Sequence, residues 1–190
     1  MAEGLLRRGI QLEQVTLGWN VVGLAVLAVA AVQARSVALV GFGLDSLIEI
    51  GASTVVLWEL ADTRQERRER ALRLIALSFA LLAVYLVVQA AVVLAAGFHP
   101  RHSALGIVWT AVTAAVMLAL AWGKARTGAA LGNPVLEAEG RVTLVDALLA
   151  VSVLVGLVLN AAVGWWWADP LAGVVLVGYA VKEAATLRAA

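Results

Sequence analysis

The sequence predicts an all-α, polytopic membrane protein: a single transmembrane domain of six helices, with both the N- and the C-terminus cytoplasmic. Three observations carry that prediction. Of the 190 residues, 63% are hydrophobic and 14% charged, and the mean hydropathy of +0.94 lies far above that of a soluble domain. The apolar residues gather in runs long enough to cross a bilayer; at roughly 20 residues per span, about six spans use roughly 120 positions and leave only short connections. The arginines and lysines, finally, segregate to alternate connections.

In chain order the spans cover about 15–34, 36–60, 74–97, 104–122, 142–162 and 170–187. The first follows Arg7 and Arg8 and ends in Val32-Gln33-Ala34, which imitates a cleavage site, but the run is longer than a signal h-region and leads straight into further spans. The second is interrupted by Asp45 and Glu49, the third and fourth carry no acid, and the fifth carries Asp146 near its start. Asp169-Pro170 reads as an N-cap with proline in the first turn, opening a shorter sixth helix. Between the second and third spans, the mixture of acids and arginines from Asp62 to Arg73 reads as a solvated connection or a helix extension, and Gly128–Pro134 as a turn-rich linker.

Orientation follows because positively charged connections stay in the cytoplasm. Arg7 and Arg8, the arginines at 64, 67, 68, 70 and 73, Lys124 with Arg126, and Lys182 with Arg188 all fall on one side, whereas the other side has Arg35 and Arg101. An odd number of spans would break that pattern. Trp58 and Trp122 near cytoplasmic ends, and Trp165, Trp166 and Trp167 near outer ends, fit interfacial aromatic belts.

Several function classes are excluded. A net charge of +1 leaves no basic surface for nucleic acid. The chain has no cysteine, hence no disulfide, thiolate metal site or cysteine nucleophile. Without a phosphate-binding glycine loop, an HExxH pair or a plausible Ser-His-Asp set, no enzyme chemistry or tightly bound cofactor is expected.

The acids within the spans are what remain to be explained, because an ionisable group at bilayer depth costs roughly 2.5–3.5 kcal/mol and persists where it meets a cavity or a partner. Asp45 and Glu49 stand four residues apart, on one face of the second helix and about 6 Å apart along its axis. Two like charges so placed need a cation or a proton between them. Counting from the cytoplasmic ends, Glu49 lies at roughly 16 Å and Asp146 at roughly 15 Å, so the second and fifth helices bring their acids to one level. Asn20, at roughly 18 Å on the first helix, is a weaker candidate that offers an amide oxygen. Glu139 reads as an acid at the cytoplasmic entrance, and Arg141 as the helical partner of Glu137, four residues before it, or as a buried counter-charge to the intramembrane acids. Gly41, Gly43 and Gly51 flank the acidic pair and permit close helix approach. His99 and His102, beside Pro100 in an outer connection, are weak transition-metal candidates.

The stretch Ser36-Val-Ala-Leu-Val-Gly-Phe-Gly-Leu-Asp45-Ser-Leu-Ile-Glu49 resembles the second helix of the cation diffusion facilitator (cation efflux) family, which carries two acids four apart there. The fifth helix reads Ala138-Glu139-Gly-Arg-Val142-Thr-Leu-Val-Asp146 where that family has an acid, then a histidine, then an aspartate four residues on; Asp146 matches the last acid and Val142 takes the histidine position. Trp167-Ala-Asp169-Pro170-Leu-Ala-Gly173 also resembles the family, so the likeness runs from about Gln14 to Glu183. It implies a six-helix transport domain, usually a homodimer, that exports divalent cations in exchange for protons by alternating access. The sequence reads as a divergent member with the transmembrane domain alone, lacking the cytoplasmic metal-binding domain that commonly follows the sixth helix.

The expected function is therefore divalent-cation efflux coupled to protons in a bacterial-type inner membrane. Asp45, Glu49 and Asp146 would hold the ion, and its partners would be the lipid bilayer, the cation, protons and a second copy of the chain. With valine in place of histidine, an oxygen-only site leans towards manganese, magnesium or ferrous iron, while zinc and cobalt stay open. A non-transporting scaffold whose acids are permanently paired, and a transporter of another small cation, are the alternatives.

Overall fold

The structure, a computed structural model, describes residues 2–62, 64–96, 101, 103–165 and 168–189. Among them the chain forms six helices and no strand: α1 (Ala2–Ala34), α2 (Val37–Leu60), α3 (Gln65–Ala96), α4 (Ala104–Leu131), α5 (Pro134–Val163) and α6 (Ala168–Ala189). The first five carry stretches long and apolar enough to cross a membrane, and α6 occupies the place of the expected sixth span. The weak histidine pair, His99 and His102, lies outside the described residues, as do Trp166 and Trp167.

At their outer ends the helices stop where the hydropathy does, but at the arginine-rich end they run on. α1 begins at Ala2, α3 at Gln65 and α5 at Pro134, while α4 continues to Leu131. Hydropathy marks the stretch that crosses lipid; the backbone ladder continues past it as long as side chains and capping allow. The expected linker at 128–134 accordingly shrinks to Gly132 and Asn133. Gly132 ends α4 at φ 61°, a left-handed conformation that glycine adopts without strain. The sixth helix likewise starts at Ala168, which puts Asp169 inside its first turn instead of at the cap.

Helices α1 and α2, α4 and α5, and α3 and α6 pack most extensively as pairs; α1 also meets α4, and α2 meets α5. These contacts make a four-helix group of α1, α2, α4 and α5, with the α3–α6 pair docked against α2 and α5. The chain ends and the even connections gather at one end: Gly9 of α1 lies beside Leu60, Thr127 and Leu136, and Leu187 shares a hollow with Leu72 and Pro134. At the opposite end the backbone N–H of Arg101 donates to the carbonyl of Ala34 at 2.9 Å. Trp58 and Trp122 sit at the arginine-rich end under Arg67 and Arg126, whose guanidinium carbons stand 4.6 and 4.1 Å from the ring centres. In the α2–α3 connection a hydrogen bond from Arg64 holds the Asp62 carboxyl below its usual range.

The interior is filled by Leu27, Phe42, Ile75, Phe79, Met117 and Leu136, all fully buried. Exposed positions are apolar too: Val32 is 79% accessible, Val84 62% and Val108 61%. Such a surface suits hydrocarbon and not water. Trp19 and Trp109 stack at 5.1 Å between α1 and α4, and the Trp19 indole donates to Thr113.

Asn133 ties the arginine-rich end together. Its Oδ1 accepts from the N–H groups of Val135 (2.9 Å) and Leu136 (3.1 Å), capping α5, while its Nδ2 donates to buried Glu59 of α2 at 2.8 Å. Arg68 of α3 approaches the same carboxylate at 3.7 Å. Asn133→Ala removes the cap and one partner of a buried carboxylate together. It should cost about 2 kcal/mol and lower the thermal midpoint of the detergent-solubilised protein; an unchanged midpoint would show that the tie contributes nothing.

Candidate functional site

The site grows out of two close helix approaches. Ser36 accepts from the Leu39 N–H at 3.2 Å and sets the start of α2, so that the Asp45–Glu49 face turns towards α5. Gly41 lets α2 settle on α3, since a Cβ there would collide with Tyr85 and Gln89. Between α4 and α5 the backbones nearly touch: a Cβ on Gly140 would come 3.2 Å from the Ala125 nitrogen, and one on Gly128 would come 2.9 Å from the Glu137 nitrogen. Small residues at these points bring the polar faces of α4 and α5 together in the bundle interior.

Asp45, Glu49 and Asp146 are 2%, 1% and 2% exposed. Asp45 of α2 and Asp146 of α5 are near enough for their carboxylates to interact. Among the described residues, Asp45 Oδ2 and both oxygens of Asp146 have no donor. Glu49 is turned differently: its Oε1 accepts the Thr143 hydroxyl at 2.5 Å, and its Oε2 has no donor. Within the described residues no three acidic or imidazole side chains close to the spacing that chelates one ion. What the geometry assembles is a facing pair, Asp45 and Asp146, with Glu49 beside it on α2.

A second buried cluster adjoins the first. Lys124 of α4 is fully buried, with its ammonium 2.6 and 2.7 Å from the two oxygens of Glu139, 3.1 Å from Glu13 of α1 and 3.0 Å from the Thr143 hydroxyl. Ser53 of α2 donates to Glu139 at 3.1 Å. Thr143 is the link between the clusters, touching both Lys124 and Glu49. Among the described residues of these two clusters, five buried carboxylates (Glu13, Asp45, Glu49, Glu139, Asp146) share one buried cation, Lys124. Positive charge, as protons or cations, has to enter this interior for it to be neutral.

Three expectations are corrected here. Glu139, read as an entrance acid, is fully enclosed and ion-paired, because the helical start of α5 carries it below the end of the bundle. Lys124, counted among the cytoplasmic charges, is an interior residue for the same reason on α4. Arg141 pairs neither with Glu137 nor with the intramembrane acids: its Nε lies 2.7 Å from Glu183 of α6, since that face of α5 is turned to α6 and away from the acids. Asn20 is buried at 2% and held along its own helix, its amide donating to the Thr16 carbonyl at 3.0 Å. Val142, at the position that resemblance gives to histidine, packs into the hydrophobic core at 2% exposure.

Glu13, Lys124, Thr143 and Ser53 escaped the reading of the sequence. One signal was available for the lysine. In a helical hairpin turning at Gly132–Asn133, Lys124 and Glu139 fall at similar depths, roughly 12 and 9 Å from the turn.

A profile of the cation efflux transmembrane domain matches residues 14–188. The chain belongs to the cation efflux family. It is thereby an integral, multi-pass membrane protein of a family of cation transporters. Over 84 residues it is 36% identical to the cation-efflux pump FieF of Shewanella oneidensis. That stretch makes up 44% of this chain and 28% of the pump, so the match spans little more than a quarter of that relative. Within the matched residues, the Glu13–Lys124–Glu139 cluster adjoins the acids of α2 and α5 through Thr143.

Proposed function

We propose that this chain carries a divalent metal cation out of the cytoplasm in exchange for protons, with Asp45 and Asp146 as the core of the ion site and Glu49 as its third carboxylate. The observation that carries the reading is the facing pair itself: two buried carboxylates from different helices, with three of their oxygens lacking any donor among the described residues. Such a pair holds either a proton or a cation, and competition between the two for one site is sufficient for antiport. Entering cations lose water and gain carboxylate oxygens; leaving cations are replaced by protons. The arginine-rich end, where both chain termini lie, is the cytoplasmic face by the distribution of positive charge, and a bacterial inner membrane fits the kinship with the Shewanella pump. A homodimer is the assembly expected.

The oxygen-only chemistry of the acids favours hard ions, manganese, ferrous iron or magnesium, over zinc and cobalt. Proteoliposomes loaded with a pH dye and exposed in turn to these five ions test the reading. Ion-driven proton movement is the expected result, and folded, inserted protein that is silent towards all five would overturn it. A scaffold with permanently neutralised acids is disfavoured by a specific feature: among the described residues, the buried cation Lys124 is engaged by Glu13 and Glu139, and no ion pair reaches Asp45 or Asp146.

A further inference from the structure

The direction of one hydroxyl proton decides how Glu49 is held. A lysine ammonium only donates, so at 3.0 Å from Lys124 the Thr143 oxygen must accept. Its single proton is then free to point elsewhere, and two carboxylate oxygens are within reach: Glu49 Oε1 at 2.5 Å and Glu139 Oε1 at 3.3 Å. The nearer wins, because Glu139 is already bonded to Lys124 and Ser53. With Glu49 ionised, the chain runs Lys124→Thr143→Glu49, and it draws Glu49 towards α5 at the level of Thr143, one turn from Asp146.

We propose that Thr143, oriented by Lys124, is a latch on Glu49 that sets how many carboxylates a passing cation meets: Asp45 and Asp146 with the latch closed, and Glu49 as well when it opens. This inference rests on the transport reading above and adds positioning residues to it. It accounts for the spacing observed, in which Asp45 and Asp146 meet while no three acids chelate together among the described residues. The physical consequence is a trade. A third carboxylate binds a divalent ion more tightly and releases it more slowly, so a latch that competes for Glu49 weakens binding and speeds turnover. Thr143 is not itself an ion ligand in this scheme; it acts through Glu49.

Thr143→Val keeps the shape of the side chain and removes the hydroxyl. In proteoliposomes with Mn2+ as the probe, the variant should show a KM about tenfold lower and a kcat reduced in similar proportion, the size expected for losing one charge-assisted hydrogen bond. Thr143→Ser, which restores the hydroxyl, should restore the wild-type ratio. A residue that merely supports packing would lower kcat or raise KM without tightening binding, and either result, or an unchanged KM, would overturn the latch. The double variant Lys124→Met/Glu139→Gln provides an independent arm. It removes the ammonium that orients the hydroxyl together with one of the two charges it would strand, Glu13 being the other, and a KM that falls in the same direction supports the latch, while one that stays or rises overturns it. Wild-type protein that moves Mn2+ normally while both variants behave as wild type refutes the latch alone. Inert wild-type protein refutes the transport reading and the latch with it.

Discussion

Asp45→Asn and Asp146→Asn should each abolish metal flux, by more than about 100-fold, with the protein still inserted and folded. Loss of a group that only supports a metal ligand costs about 10–100-fold, and these two carboxylates are placed to meet the ion directly. Asparagine keeps the size and an oxygen but removes the charge that draws a divalent ion into the bundle. Stability should move the other way. In the wild-type interior Asp45 and Asp146 confront each other without a donor, and an amide at position 45 supplies one to its neighbour. The thermal midpoint of Asp45→Asn is therefore expected to equal or exceed that of the wild type while transport disappears, the usual trade between a functional site and fold stability. Flux and melting measured on the same preparation check both halves. Undiminished transport in either variant would remove the pair from the ion site, and collapse of the fold in both would assign them a structural role.

The second large effect is expected at a residue that no transport step needs to touch. Lys124→Met should destabilise the protein by about 3–5 kcal/mol, because it strands Glu13 and Glu139 as two buried acids with no cation between them. Adding Glu139→Gln should recover part of that loss, since it leaves one stranded buried acid, Glu13, in place of two. The comparison of thermal midpoints for the single and double variants in detergent separates this explanation from one of lost packing: if the double variant is less stable than the single, the charge account fails. Because the cluster ties α1, α4 and α5 to one another, early loss of the single variant should expose the Trp19–Trp109 stack, and tryptophan fluorescence offers a convenient signal.

The acid pair of the second helix was readable because the i to i+4 spacing and the helical rise are local rules; they place Asp45 and Glu49 on one face whatever the rest of the chain does. The same rise, counted from a connection marked by positive charge, set Asp146 level with Glu49; the structure is one turn out of that register, with Asp146 against Asp45 and Glu49 against Thr143. Those rules have no access to rotamers. Glu49 and Asp45 share a helix face, yet one turns to Thr143 and the other to Asp146, a choice made by which hydroxyl and which carboxylate α5 presents. Arg141 was misread for a related reason, since a helical neighbour at i−4 is always available on paper, while Glu183 comes within 2.7 Å only because α6 packs on that face of α5.

What the sequence by itself determined is the membrane-spanning class, the order and number of helices, the end at which the termini meet and the helix face that Asp45 and Glu49 share. All of these are set by hydropathy, charge and the fixed rise of a helix, and each can be evaluated one segment at a time. Only the tertiary structure decided that helices run past their apolar stretches, that Lys124 and Glu139 are interior residues, and that a lysine, a threonine and a glutamate from three helices form one hydrogen-bonded chain. The reason is that a charge next to the membrane edge has the same sequence signature whether it faces water or a partner. Its fate is set by helix approaches at Gly128 and Gly140, where the absence of a side chain lets two backbones meet and draws the polar faces inward.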